Sequence, residues 1–145
     1  MRVDPPLEYT NEDPRQYKNE TALVDAIRKQ IAKEFPGAWV LKTHGNPYQE
    51  SGLPDLLVAW DGRLAGLEVK HPKKNETEEH ARYRTSIAQR RQIVALRRAG
   101  IVADTVLSVA ETRRVLHWAF RVQGSPHHAP LYDTAKAMEL FEKKS

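Results

Sequence analysis

Asp61-Gly62 falls between two apolar runs, residues 55–60 and 64–70, and fixes how those runs pair. A two-residue hairpin loop with the strands' own twist is a type I′ turn, which needs positive φ at both positions, and Asp-Gly supplies that. The loop makes Trp60 the partner of Arg63. Counting back along both strands from that pair predicts Asp55 opposite Glu68. Directly opposed residues share a face of the sheet, with Cβ atoms about 4.5–5.5 Å apart. Lys70 lies two residues past Glu68, so it belongs to that face as well.

Two opposed carboxylates destabilise a hairpin unless positive charge lies between them. The rest of the hairpin is apolar: Leu56, Val58 and Trp60 share one side with Ala65, Leu67 and Val69, and Leu57 and Ala59 continue the acidic side. Strands covered on both faces rarely carry acids without a reason. A hard divalent cation is one, because magnesium and manganese prefer oxygen donors and keep water in their remaining positions. Asp55 and Glu68 offer two carboxylates at a spacing one cation can bridge, and the Val69 carbonyl is a candidate third oxygen. Lys70 has no acceptor. Its role would be to hold an attacking water and to offset charge growing on a phosphate. Two acids and one lysine on one patch therefore point to metal-dependent phosphodiester cleavage. The competing reading is a surface hairpin with solvated charges.

Composition narrows the setting. The 145 residues suffice for one globular domain, with 40% hydrophobic and 29% charged residues. With no cysteine, disulfides and thiolate metal sites are excluded. No apolar run approaches the ~18 residues of a membrane span, and Met1-Arg2-Val3-Asp4-Pro5-Pro6 lacks a signal-peptide pattern. A cytoplasmic, non-secreted protein without membrane contact is expected. The net charge of +4 is modest, but its distribution is not even. Lys73, Lys74, Arg82, Arg84, Arg90 and Arg91, with Arg97 and Arg98 further on, gather around one predicted helix. Such a stripe suits phosphate contacts, and equally a solvated helix face. No glycine-rich nucleotide loop, serine nucleophile motif or zinc spacing occurs, so no nucleotide cofactor is expected.

Along the chain, residues 1–18 hold Pro5, Pro6 and Pro14 and read as an extended arm. A helix is expected over 20–35, capped by Asn19, with Leu23, Ile27, Ile31 and Phe35 on one stripe. Strands are expected over 38–43, 55–60, 64–70 and 102–109. Residues 71–84 read as a charged connector. A second helix spans 86–99 and ends at Gly100, a third follows the Ser108/Glu111 capping box to about 122, and a last one covers 134–144. This order describes an α/β fold with a mixed sheet. One domain over 19–123 is expected, with 124–145 a C-terminal loop and helix extension of it.

Two further polar residues break their local pattern. Glu20 lies seven positions before Ile27 and so shares the apolar stripe, but an acid also suits a first helical turn. Gln89 stands in register with Ile93 and Leu96, yet Ser86-x-x-Gln89 is also a good capping box. His44 and His71 lie at strand ends near the acids and are candidates for touching phosphate or protonating a leaving oxygen. His127-His128 reads as a solvent-facing loop.

Taken together, Gly52-Leu53-Pro54-Asp55, then Glu68-Val69-Lys70, preceded by Glu20 and followed by Ser86-x-x-Gln89 and Ala99-Gly100, resembles the PD-(D/E)XK nuclease superfamily. Within it, the order resembles the virus-type replication-repair nuclease (VRR-NUC) branch over residues 20–108. The resemblance implies a restriction-endonuclease-like αβββαβ core and Mg²⁺- or Mn²⁺-dependent hydrolysis of DNA. It implies Asp55 and Glu68 as metal ligands, Lys70 as the residue orienting water, and Glu20 as an outer-sphere or second-metal carboxylate. Gln89 would steady Lys70 or the scissile phosphate. Stand-alone members look like Holliday-junction resolvases acting as homodimers. One departure is the link over 71–84, longer than usual. Alternatives are a less selective duplex nickase or restriction-like nuclease, and a non-catalytic DNA-binding domain of the same fold.

Overall fold

Asp61 and Gly62 adopt φ of 49° and 75°, the positive values a type I′ turn demands. The hairpin register follows: Trp60 faces Arg63, Val58 faces Ala65 and Leu56 faces Leu67. In this computed structural model, residues 13–43, 50–125 and 130–142 are described. The hairpin strands, β2 (Leu56–Trp60) and β3 (Arg63–Val69), form the middle of a four-stranded mixed sheet. Strand β1 (Trp39–Lys42) pairs antiparallel with β2 on one edge. Strand β4 (Val102–Val106) pairs parallel with β3 on the other.

One face of the sheet is the main core. Helix α1 (Glu20–Glu34) begins where the Asn19 side chain accepts the Ala22 N–H, and it buries Leu23, Val24, Ile27 and Ile31. Its i, i+4 stripe lies against Leu56, Val58, Ala65, Leu67 and Val69. Helix α4 (Val109–Ala119), capped by Ser108 Oγ accepting the Glu111 N–H, adds Val115, Leu116 and Ala119. The end of this layer is aromatic: Phe35 meets Trp60 and Phe120 edge-on, each at 5.2 Å between centroids. Each fully buried Leu or Ile contributes roughly 1.5–3 kcal/mol, so this layer dominates stability.

The opposite face carries helix α3 (Ile87–Arg98), with the expected capping box of Ser86 and Gln89. Gly100, at φ 84°, follows its C-cap Ala99. Gly66 of β3 lets this helix come close, since a Cβ there would lie 3.0 Å from Pro54 Cγ and 3.4 Å from Leu96 Cδ1. On its outer side α3 meets a small second cluster, in which Ile93 packs with Tyr132 and with Ala137 of helix α5 (Thr134–Glu142). The αβββαβ order of a restriction-endonuclease-like core is present, with helices on both faces and α4 and α5 following.

The structure departs from the expected elements at several points, and the third helix ends at Ala119 rather than about 122. The connector over 71–84 is not featureless, because Thr77 caps a short helix α2 (Glu78–Arg82). It is tied down by Arg84, which pairs with Glu76 at 3.0 Å and donates to the His71 carbonyl. The end of the expected arm is not extended: Asp13 caps a 3₁₀ turn (Pro14–Gln16), and His71 Nε2 bonds the Tyr17 carbonyl at 2.7 Å. Residues 1–12 lie outside the described residues. Strand β4 stops at Val106 rather than Val109, because the Leu107 N–H turns to Glu111 Oε1 as α4 is capped. Among the described residues, no helix is long and apolar enough to cross a membrane.

Candidate active site

Asp55 enters β2 from a tight loop held on three sides. Thr43, just past β1, donates its N–H to the Asp55 carbonyl at 2.9 Å and its hydroxyl to the Pro54 carbonyl at 2.8 Å. Gly52, at φ 83°, rests on the first turn of α3; a Cβ there would lie 2.3 Å from Ala88 C and 2.6 Å from Gln89 N. Across the hairpin, the Val69 N–H donates to Asp55 Oδ2 at 2.8 Å. The loop is thus clamped between β1, β3 and the helix that bears Gln89.

The Asp55 and Glu68 carboxyls meet as the register requires. Glu68 is only 3% exposed and Lys70 6%. Gln89 links the two: its Nε2 donates to Glu68 Oε1 at 3.0 Å, and its Oε1 accepts from Lys70 Nζ at 3.4 Å. That same Oε1 accepts the Ser86 N–H at 3.0 Å. The amide orientation is therefore set by the helix cap and the site together. Gln89 thus completes the helix cap and at the same time faces Glu68 and Lys70. Lys70 Nζ also stands 3.5 Å from Glu68 Oε1.

The electrostatics are unbalanced toward negative charge. Burial pushes the Glu68 carboxyl up to about 9, and the neighbouring Asp55 charge adds to the rise; Lys70 offsets only part of it. Glu20 is exposed at its surface, yet its carboxyl is also raised, first by partial burial and then by Asp55, with Lys70, Arg84 and His71 opposing. Glu20 therefore lies within the electrostatic reach of the site. Among the described residues, no group of three or more acidic or histidine side chains gathers closely enough to hold a metal ion. The candidate side-chain donors are Asp55 and Glu68.

These donors suit a hard cation. Both are carboxylates, no cysteine competes, and the charge excess at Glu68 is what a divalent ion would relieve. Backbone geometry supports a third oxygen. The Lys70 N–H crosses to the Val106 carbonyl at 3.0 Å on the β4 side, whereas the Val69 N–H points to Asp55. Successive residues of a strand alternate in this way, so the Val69 carbonyl opens on the Asp55 side as well.

The basic stripe divides. Lys73, Lys74 and Arg91 are exposed. Arg82 instead donates to the Thr105 carbonyl at 2.9 Å and pairs with Glu111, which joins α2 to β4 and α4. Arg84 is held by Glu76 and the His71 carbonyl. Arg90 reaches the Met138 sulfur at 3.6 Å, and Arg97 donates to the Ala103 carbonyl at 3.0 Å. The stripe is not one solvated face. His71 is committed to Tyr17. His44 and His127-His128 lie outside the described residues. The sequence pattern singles out Gly52 within the motif but not its packing on α3, and it gives no sign of Thr43.

No family model and no curated protein matches this sequence. Among solved structures, the chain is similar to one described as a VRR_NUC domain. The two are 22% identical, with a TM-score of 0.48, over 68% of this chain and 94% of that one.

Proposed function

We propose that this protein is a metal-dependent DNA endonuclease. The observation that carries the reading is the buried Glu68 opposed to Asp55, with Lys70 locked beside them by Gln89. A binding domain gains nothing from opposed carboxylates facing phosphates, because they repel the backbone they would hold. Asp55, Glu68 and the Val69 carbonyl would hold Mg²⁺ or Mn²⁺. When bound, the ion supplies positive charge that polarises the phosphoryl oxygen.

The chain's own groups do the rest. Lys70, fixed at its ammonium by Glu68 and Gln89, keeps one of its three donors for the site. It would orient the attacking water and offset charge growing on the phosphate. Gln89 acts through Lys70 as a positioning residue. Glu20 adds an outer carboxylate able to accept a proton from water, and its raised pKa supports that role. Lys73, Lys74 and Arg91 would contact flanking phosphates.

Four-way junctions are the preferred substrate in this reading, cut by a homodimer, since one small domain offers one site and a junction needs paired nicks. The test is a panel of labelled four-way junction, flap, nicked and linear duplex DNA incubated with Mg²⁺, Mn²⁺ or chelator. Cleavage by wild type with metal, abolished in Asp55→Ala, is expected. Equal products from wild type and Asp55→Ala would contradict the assignment.

A further inference from the structure

The sheet face that carries the acids is only half covered. Val40 of β1 turns to the core with Val58. Trp39 and Leu41, on the alternate side, are 53% and 40% exposed. Their register partners are Ala59 and Leu57, both half-buried. Helix α3 approaches this face at Gly66 of β3, where Leu96 sits, and leaves the Trp39 and Leu41 side chains open. Beside them, a shallow depression of about 560 Å³ runs between Pro36-Gly37 and Asp61-Gly62, with Trp39 and Ala59 in its lining.

These two apolar rows lead straight to the acids. Thr43, two residues past Leu41, bonds the Asp55 backbone, and Asp55 is two residues before Leu57. At 3.2–3.4 Å per residue, the Leu41–Leu57 row lies roughly 7 Å from Asp55 and the Trp39–Ala59 row roughly 13 Å. Neither row holds a charged side chain, so the surface suits the uncharged part of a nucleic acid. An indole face with aliphatic neighbours is a platform on which a base can stack. Bases in an intact duplex are already stacked and cannot lie on it. A second copy of the chain fits less well: Trp39 and Leu41 expose on the order of 200 Å², against about 800 Å² per partner in a stable interface.

We infer that Trp39 and Leu41 form a stacking shelf for unpaired bases flanking the scissile phosphate. The inference rests on the nuclease reading for what lies at the acids, and it adds that bases opened at the branch point of the junction are held beside the cut.

The test is fluorescence anisotropy in Ca²⁺ with two labelled probes, a blunt duplex and the same duplex bearing an unpaired oligothymidine tail. Wild type should prefer the tailed probe, and Trp39→Ala should lose that preference, by roughly 5- to 100-fold. Trp39→Phe should keep most of it. Quenching of tryptophan emission by the tail should vanish in Trp39→Phe. Equal weakening on both probes, or no tail preference in wild type, would overturn the shelf. So would a dimer that dissociates in Trp39→Ala with tail binding intact, which would make this face a self-association surface. The two readings fail separately. Trp39-dependent tail binding without Mg²⁺-dependent cleavage of any probe would remove the nuclease reading alone; Asp55-dependent cleavage without a Trp39 effect would remove the shelf alone.

Discussion

Gln89 donates to Glu68 at 3.0 Å, and the oxygen of the same amide accepts from Lys70. A helix cap and two site residues therefore share one side chain. Gln89→Ala should lower kcat roughly 10- to 100-fold, the usual range for loss of a group orienting a site, with little change in KM for DNA. Single-turnover cleavage with measured DNA affinity checks this. A fall in affinity with kcat intact would assign Gln89 to substrate binding instead.

Gly52 has no space for a side chain. Its φ of 83° and the Ala88 backbone 2.3 Å from a Cβ oppose any substitution. The left-handed conformation alone costs roughly 1–2 kcal/mol in a non-glycine residue, and the clash must be relieved by lifting the loop off α3. Gly52→Ala should lower Tm and reduce cleavage more than a stability loss of that size explains, because Asp55 moves relative to Gln89. Thermal melts and rates measured well below Tm separate the two effects.

The arginines and lysines should sort into two groups. Replacing Lys73, Lys74 and Arg91 by alanine should leave Tm unchanged and flatten the salt dependence of DNA binding, by a slope of ~0.9 for each phosphate no longer neutralised. Arg82→Ala should do the reverse, since it strips Glu111 and the Thr105 carbonyl of their partner. A salt titration and a melt on each variant decide the matter.

The connector should be acid-sensitive. Burial alone would raise the Glu76 carboxyl, but Arg84, the Lys73 N–H and His80 outweigh it and hold it at about 2, below its usual 4.5. A carboxyl depressed in the folded state favours folding above the unfolded value, and that contribution disappears as pH falls from about 4.5 towards 2. Glu76→Gln should be less stable than wild type at pH 7, with the gap closing through this window. Urea midpoints at pH 7, 4 and 3 measure it; a gap independent of pH would contradict the assignment.

What sequence conveyed was mostly local. Asp61-Gly62 carries its own turn geometry, so the hairpin register, and with it the meeting of Asp55 and Glu68, was readable from two residues. The caps at Asn19, Ser86 and Ser108 lie within three residues of their partners and were equally legible. Helix α2 was not. It is only five polar-rich residues, and Arg82 at its end pairs with the distant Glu111. Arg82 reads in sequence as part of a polyanion surface because its partners, Glu111 and the Thr105 carbonyl, lie elsewhere in the chain. The contacts of Thr43 and Gly52 are illegible for the same reason: each acts on an element separated from it by a loop or by the whole hairpin.

The most direct measurement is an anomalous difference map from crystals soaked in Mn²⁺. The account predicts a peak shared by the Asp55 and Glu68 carboxylates, absent in Asp55→Ala. Manganese bound elsewhere with none between these two side chains would contradict it.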